Sequence, residues 1–272
     1  ENDYISRGNI LVKKVNLPLQ REIALRPATF GDKSQKDIND IRNLKINQIY
    51  VAEHLRLYWE QDIYANTSLK PYHDPHLPTF FYGCHSIKDM DTLDKHNHFV
   101  VIIWTGGDCN ASIPEVDKNI AKIKENKRVS NIAITTFIAH SLDAFGMNYV
   151  LRPFYAFDTN LFKPCKKGFS IYVYYGNCSK TYDIPLVETI KRKFPNINFI
   201  CTTTSLSFNH LRHKYPFLKC YNKKDLPEVY AQCFISLRFT EHDGLSGTVQ
   251  ELGCMGIKSI WNGTSPSALN YK

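Results

Sequence analysis

Apolar and polar positions along this chain follow two alternating periods. Short continuous apolar runs, closed by Gly, Pro, Asn or Asp, read as buried strands. Between them, apolar residues recur every three or four positions, as on one face of a helix. In the first half the pattern predicts strands at 46–52, 80–83, 99–104, 129–137 and 148–153. The clearest is Phe99-Val100-Val101-Ile102-Ile103-Trp104, which lacks polar alternation, as in a parallel sheet covered on both faces. Helices are predicted at 117–127, where Ile120 and Ile123 share a face, and at 138–145, stopped by Gly146. In the second half, strands at 169–175, 197–202, 217–221, 234–237 and 259–261 alternate with helices at 184–194, 206–213, 226–232 and 248–254. The helix at 226 is opened by Asp225, with Pro227 in its first turn. Such alternation implies parallel sheets of Rossmann type. Residues 1–45 are less regular, with 10–12 and 23–25 as short strands around Pro18. The Pro, Lys and Gly content of 163–168 marks a linker, so the expected domains are 1–163 and 164–272.

Composition narrows this picture only in part. The 272 residues are 43% hydrophobic and 13% aromatic, enough for a substantial core, and no apolar run approaches membrane-spanning length. A formal net charge of +8 favours an anionic partner: nucleic acid, a membrane surface or a phosphorylated substrate. The basic residues are dispersed, without a long tract interleaved with aromatics, so nucleic acid is not the expected partner, while peripheral contact with a membrane stays open. The eight cysteines form no C-x-x-C pair and sit mostly in apolar surroundings, which suits reduced thiols in a cytoplasmic protein.

The densest chemistry follows the apolar run Cys233-Phe234-Ile235-Ser236-Leu237. Arg238, Glu241, His242 and Asp243 lead into Gly244-Leu245-Ser246-Gly247, and then Thr248, Val249, Leu252 and Met255 recur at helical spacing. This is a strand–turn–helix junction. Gly244 and Gly247 permit close backbone approach, and a helix starting near Ser246 aims free N–H groups at an anion. Asp243 and Glu251 flank the turn with seven residues between them, so a phosphate could be held between carboxylates that bind hydroxyl groups.

These residues resemble the acidic motif of retaining glycosyltransferases of the GT-B fold, family 4 in particular. The matching pieces are Asp243, Gly244 to Gly247, Glu251, Met255-Gly256 and Ile257 to Ile260. The family's first acid is usually Glu; here Asp243 has the spacing and Glu241 the residue type, and either fills the role. The resemblance implies two Rossmann-like α/β domains facing each other across a cleft. It also implies a nucleotide-diphosphate sugar as donor, a glycan or other hydroxylated acceptor, and transfer with retention without a metal or other cofactor. By the same analogy Glu251 accepts hydrogen bonds from the ribose, and Asp243 or Glu241 holds sugar hydroxyls. Backbone around Tyr221 and Asn222 meets the base. Gly176, Asn177 and Lys180, at the end of the first strand of the second half, match the diphosphate site, with Arg238 as a second cation. His242 either touches the phosphate or sugar or packs inside the motif. Asp158, Phe162 and Pro164 match the family's interdomain D-x-x-x-F-x-P connection, and Trp104-Thr105-Gly106-Gly107-Asp108 its W-x-G-x-D segment.

For the first domain, Asp108 and His140 are the candidate acceptor-side groups by strand-end position, Asp108 being equally readable as the cap of a Gly-rich turn. Asp89-Met90-Asp91 resembles the metal-binding triplet of the other main glycosyltransferase fold, but its polar neighbours read as a solvated helix or loop. His73, Asp74 and His76 stand among three prolines, a rigid surface loop rather than a metal site. A nucleotide-sugar 2-epimerase of the same fold and a basic nucleic-acid-binding protein are the alternative functions.

Overall fold

The computed structural model describes residues 4–6, 11–13, 45–109, 114–152, 154, 158–176, 182–240, 246–261 and 268–270. Two parallel sheets dominate it. In the first, β3 (Gln48–Val51), β4 (Lys70–Pro71), β5 (Thr79–Tyr82), β6 (Val100–Trp104), β7 (Val129–Ala133) and β8 (Val150–Leu151) lie in the order β4-β3-β5-β6-β7-β8. In the second, β9 (Ser170–Tyr174), β10 (Phe199–Thr202), β11 (Cys233–Arg238), β12 (Lys258–Trp261) and β13 (Ala268–Asn270) lie in the order β10-β9-β11-β12-β13. A separate antiparallel pair joins β1 (Tyr4–Ser6) to β2 (Leu11–Lys13).

The unbroken apolar run at β6 is buried along its length, because strands and helices cover both faces. The first core gathers Ile49, Phe81, Ile102, Trp104, Ile120, Ile138 and their neighbours. The second sheet carries a core on each face, one around Tyr172, Tyr230 and Leu252 and one around Val173, Tyr175 and Leu237. Phe162 packs with Tyr230, ring centroids 6.0 Å apart, so the connection between the sheets is already seated in the second core. Two parallel sheets with covering helices realise the two Rossmann-like domains.

Several expected elements change. No strand forms at 217–221; Lys219 makes one isolated bridge to Thr202. Pro216 has no N–H to give, and Tyr215 and Phe217 turn onto Tyr175, with centroids 6.1 and 5.7 Å away. The strand expected at 129–137 ends at Ala133, because the Thr135 side chain already accepts from the Ile138 N–H and starts the helix Thr136–Ala144. That at 148–153 shortens to β8. Lys70–Pro71 is a strand the pattern did not announce, placed at the sheet edge where proline is tolerated. The aromatic stretch after β3 is helical: a 3₁₀ turn at Glu53–Leu55, a π turn at Arg56–Glu60 and an α-helix at Gln61–Asn66. The strand expected at 23–25 lies outside the described residues.

Asp89 is not in a solvated position. It is fully buried in the helix Ile87–Lys95, where it forms a capping box with Ser86. Its Oδ2 accepts from the Ser86 and His85 N–H groups at 2.8 and 3.0 Å, and its Oδ1 from the Tyr50 hydroxyl at 2.8 Å. Burial works to raise its pKa, but these donors outweigh it and the net shift is downward. Asp91 is exposed. The pair therefore does not converge on a metal, and among the described residues no group of three or more His, Cys, Asp or Glu is placed to hold one.

Candidate active site

The second domain's part of the site is built at the carboxyl ends of β9 and β11 and at the start of the helix Gly247–Cys254. Ser246 caps that helix, its hydroxyl accepting from the Val249 N–H at 3.3 Å. The backbone N–H groups at the start of such a helix favour an anion. A Cβ at Gly247 would stand 3.0 Å from the Trp59 ring, a tight fit that the first domain's tryptophan would have to shift to accommodate. Gly176 follows β9 with φ +51°, and a Cβ there would collide with the Tyr182 ring. Its carbonyl accepts from the Thr203 hydroxyl.

Glu251 lies on the same helix and is 6% exposed. The Tyr230 hydroxyl donates to its Oε2 at 2.9 Å, and the Lys223 ammonium stands 3.4 Å from its Oε1. Burial pushes the Glu251 carboxyl up, with Lys223 and then Tyr230 opposing it. Lys223 also pairs with Asp62 and lies 5.8 Å from the Trp59 ring centroid. One lysine of the second domain thus spans from a buried carboxylate to a carboxylate of the first. Arg238, the last residue of β11, is buried with its guanidinium 5.0 Å from the Tyr174 ring centroid and 5.7 Å from that of Tyr182. The two rings hold the cation at the strand end.

The first domain's part gathers at the carboxyl ends of β5 and β6. Asp108 is buried, its Oδ1 accepting from the Thr105 and Gly106 N–H groups at 3.0 and 2.9 Å. Its Oδ2 is 3.7 Å from His85 Nε2, which also lies 3.1 Å from the Thr105 hydroxyl. His54 meets His85 edge-on, with ring centroids 3.7 Å apart. Desolvation of its ring, then the neighbouring His85, push the His54 pKa down to about 4, so it is neutral at neutral pH. A Cβ at Gly107 would stand 2.9 Å from His85 Cε1, so the double glycine lets the histidine settle against the turn.

Of the residues expected from sequence, Ser246, Gly247, Thr248 and Glu251 share one helix start, with Arg238 on the strand that precedes it. Gly176 stands at the carboxyl end of the neighbouring strand β9. Asn222 is exposed and donates to Asp225 at 3.2 Å, while Tyr221 packs partly against the core; Lys223, which reaches Glu251, follows them directly. Asp108 is placed behind His85. His140 is exposed on the helix Thr136–Ala144. Glu241, His242, Asp243, Gly244, Leu245, Asn177 and Lys180 lie outside the described residues. Sequence reasoning missed His85, His54, Lys223, Trp59 and Asp62. For His85 a signal existed, since it stands three residues beyond the end of β5.

No protein-family model matches the chain, and no curated protein sequence does. Solved structures do. The sucrose-phosphate synthase of Thermosynechococcus elongatus matches 68% of this chain and 55% of its own, with a TM-score of 0.52 and 12% identity. The pneumococcal O-GlcNAc transferase GtfA, solved with UDP and GlcNAc, matches 68% of this chain and 41% of its own, with a TM-score of 0.47 and 12% identity. The α,α-trehalose 6-phosphate synthase of Burkholderia multivorans matches 72% and 58%, with a TM-score of 0.48 and 8% identity. The chain therefore spans from 41% to 58% of the lengths of these three structures. At such identities the likeness is one of fold. Through the sucrose-phosphate synthase it places the two sheets in the GT-B arrangement.

Proposed function

We propose that this chain transfers a sugar from a nucleoside-diphosphate sugar to a glycan or other hydroxylated acceptor, with retention and without a bound metal ion. The observation that carries this reading is Glu251. It is a buried carboxylate at the domain interface, on the helix whose capped start faces the strand ends, and side chains rather than backbone satisfy it. A ribose diol can replace the Lys223 ammonium on Oε1 while Tyr230 keeps Oε2 in place. The free N–H groups beyond Ser246 and the Arg238 guanidinium then suit the diphosphate, and positive groups there stabilise the charge that grows as the glycosidic bond breaks. Of the acidic pair Asp89 and Asp91, which a metal-dependent transferase would use, Asp89 is buried and serves the backbone at the start of its own helix.

Stereochemistry has a second reading, favoured by one feature. Asp108 beside His85 Nε2 makes a carboxylate–imidazole pair at the first domain's strand ends. Were His85 to take the acceptor's proton as general base, attack from the opposite face would invert the anomeric centre. The anomeric configuration of the product, read by NMR coupling constants, separates the two.

The nucleotide assignment is tested by a thermal-shift panel of UDP, GDP, ADP and their common sugar conjugates, with and without EDTA. One nucleotide raising the melting temperature regardless of EDTA is the expected result. Stabilisation that vanishes with EDTA would overturn the metal-free reading. No shift from any nucleotide, with steeply salt-dependent oligonucleotide binding instead, would favour a nucleic-acid-binding protein.

A further inference from the structure

The site lies at the carboxyl ends of the second domain's strands; the opposite, amino rim of that sheet carries a different chemistry. Phe169, immediately before β9, is 91% exposed. Phe194, at the end of the helix Ile184–Lys193, is 51% exposed, and Phe234, in the bulge at the start of β11, is 39% exposed. Contacts tie these positions to one rim. The Ser170 N–H donates to the Gln232 carbonyl at 2.9 Å, and the Asn198 side chain, from the turn after Phe194, donates to the Ser170 hydroxyl at 2.9 Å. Single exposed apolar residues are ordinary on a protein surface; three phenylalanines on one rim are not.

The charge around them is mainly positive, with the exposed Glu228 one helical turn before Gln232. Lys166, Lys167, Arg192, Lys193 and Lys258 are exposed on the same rim, Lys258 being the first residue of β12. The Cys165 N–H donates to the Met255 carbonyl at 3.4 Å, which brings the stretch before β9 against the approach to β12. None of the segments 164–170, 191–199, 232–236 and 255–259 contains an aspartate or glutamate. Arg192 and Lys193 also complement the carbonyl end of their helix, but Lys166, Lys167 and Lys258 have no such duty.

We propose that this amino rim docks the protein on an anionic membrane surface, with Phe169 and Phe194 entering the interface between headgroups and acyl chains. Lys166, Lys167, Arg192 and Lys193 then lie against lipid phosphates and carboxylates. A bilayer fits better than a nucleic acid, because the rings stand at separate projecting ends of elements rather than lining a groove that a strand could follow. Exposed rings set among basic side chains along one rim suit the boundary between headgroups and acyl chains, where apolar burial and attraction to anionic lipid act together. No helix among the described residues is long and apolar enough to cross a membrane. Docking by this rim leaves the strand end that carries Arg238, and the start of the helix that carries Glu251, at the opposite rim. The inference does not depend on the transferase reading.

The test is co-sedimentation of the whole chain with vesicles of phosphatidylcholine alone and of phosphatidylcholine mixed with phosphatidylserine, at low and high salt. Binding is expected only to the anionic vesicles and is expected to weaken with salt. Reversing Lys166 and Lys167 to Glu should lower the partition coefficient at least about fivefold for each charge. Phe169→Ser should weaken it about tenfold, and because that side chain is exposed the variant keeps the parent melting temperature. In Phe169→Trp, the emission added by the new tryptophan should shift to the blue on anionic vesicles. Absence of binding, binding unchanged by Phe169→Ser, or an unshifted emission would overturn the proposal. A Phe169-dependent complex with single-stranded oligonucleotide but not with vesicles would overturn it in favour of nucleic acid.

Discussion

The two domains treat their buried carboxylates in opposite ways. In the first, Asp89 and Asp108 accept mainly from backbone N–H groups, each within a few residues in sequence. In the second, Glu251 is met by a tyrosine hydroxyl and a lysine ammonium, both side chains brought from elsewhere in the fold. A backbone donor cannot leave without unfolding its turn, whereas a side chain can turn aside for a ligand. The first kind of carboxylate shapes the loops; the second is available for exchange. By this criterion Asp89 and Asp108 belong to the fold, and Glu251 is the carboxylate that suits the proposed exchange with a ligand.

Substitutions can break that comparison. Asp89→Ala removes a helix cap and leaves buried N–H groups and the Tyr50 hydroxyl without their acceptor, so urea denaturation should show a loss of about 3 kcal/mol. Glu251→Ala should do the reverse in the two assays. It costs little in denaturation but weakens the stabilising nucleotide about a hundredfold, as read by titration calorimetry. If both variants lose stability equally, the distinction between the two kinds of carboxylate fails.

The pH dependence sharpens it. The Asp89 pKa is lowered on folding, so its contribution is full above the unfolded carboxylate value and is lost as pH falls through the folded one. The Glu251 pKa is raised, so its contribution is largest below the unfolded value and is withdrawn as pH rises through the folded one. Asp89→Asn should therefore lower the melting temperature most at neutral pH, while Glu251→Gln should leave it equal or raise it there. Melting curves of both variants across the acid range check the two signs.

Two smaller effects concern the first domain's face. His85→Ala should reduce turnover about a hundredfold while donor affinity stays within twofold, if the histidine handles the acceptor. Equal losses in turnover and donor affinity would show that it only supports the cleft. Lys223→Met severs the link between Asp62 and Glu251. Because Lys223 is about one-third exposed, the pair is screened, and the stability change should stay below about 1 kcal/mol and shrink in salt.

Where the chemistry was local, it was legible in sequence. The run ending in Trp104 announced both a buried strand and the turn that holds Asp108. The glycines and Ser246 before a helical period announced the capped helix that carries Glu251. Ser86 and Asp89, three apart before Met90 and Leu93, have capping-box spacing, a pattern obscured by reading Asp89 with Asp91 instead. What stayed hidden was contact between distant segments. Lys223 and Asp62 are 161 positions apart, and no periodicity couples them. Trp59 packs on Gly247 because a π turn redirects the chain after β3, an irregularity without a hydrophobic signature.

In the proposed function, Glu251 holds the ribose hydroxyls of a nucleoside diphosphate. The most direct test is calorimetric titration of the best nucleotide and its 2′,3′-dideoxy analogue into the parent protein and into Glu251→Ala. The parent should bind the complete ribose at least about tenfold more tightly than the analogue, as expected for hydrogen bonds to a charged acceptor, and the variant should lose this preference. A parent protein that binds both equally, or a variant that still discriminates between them, would contradict it.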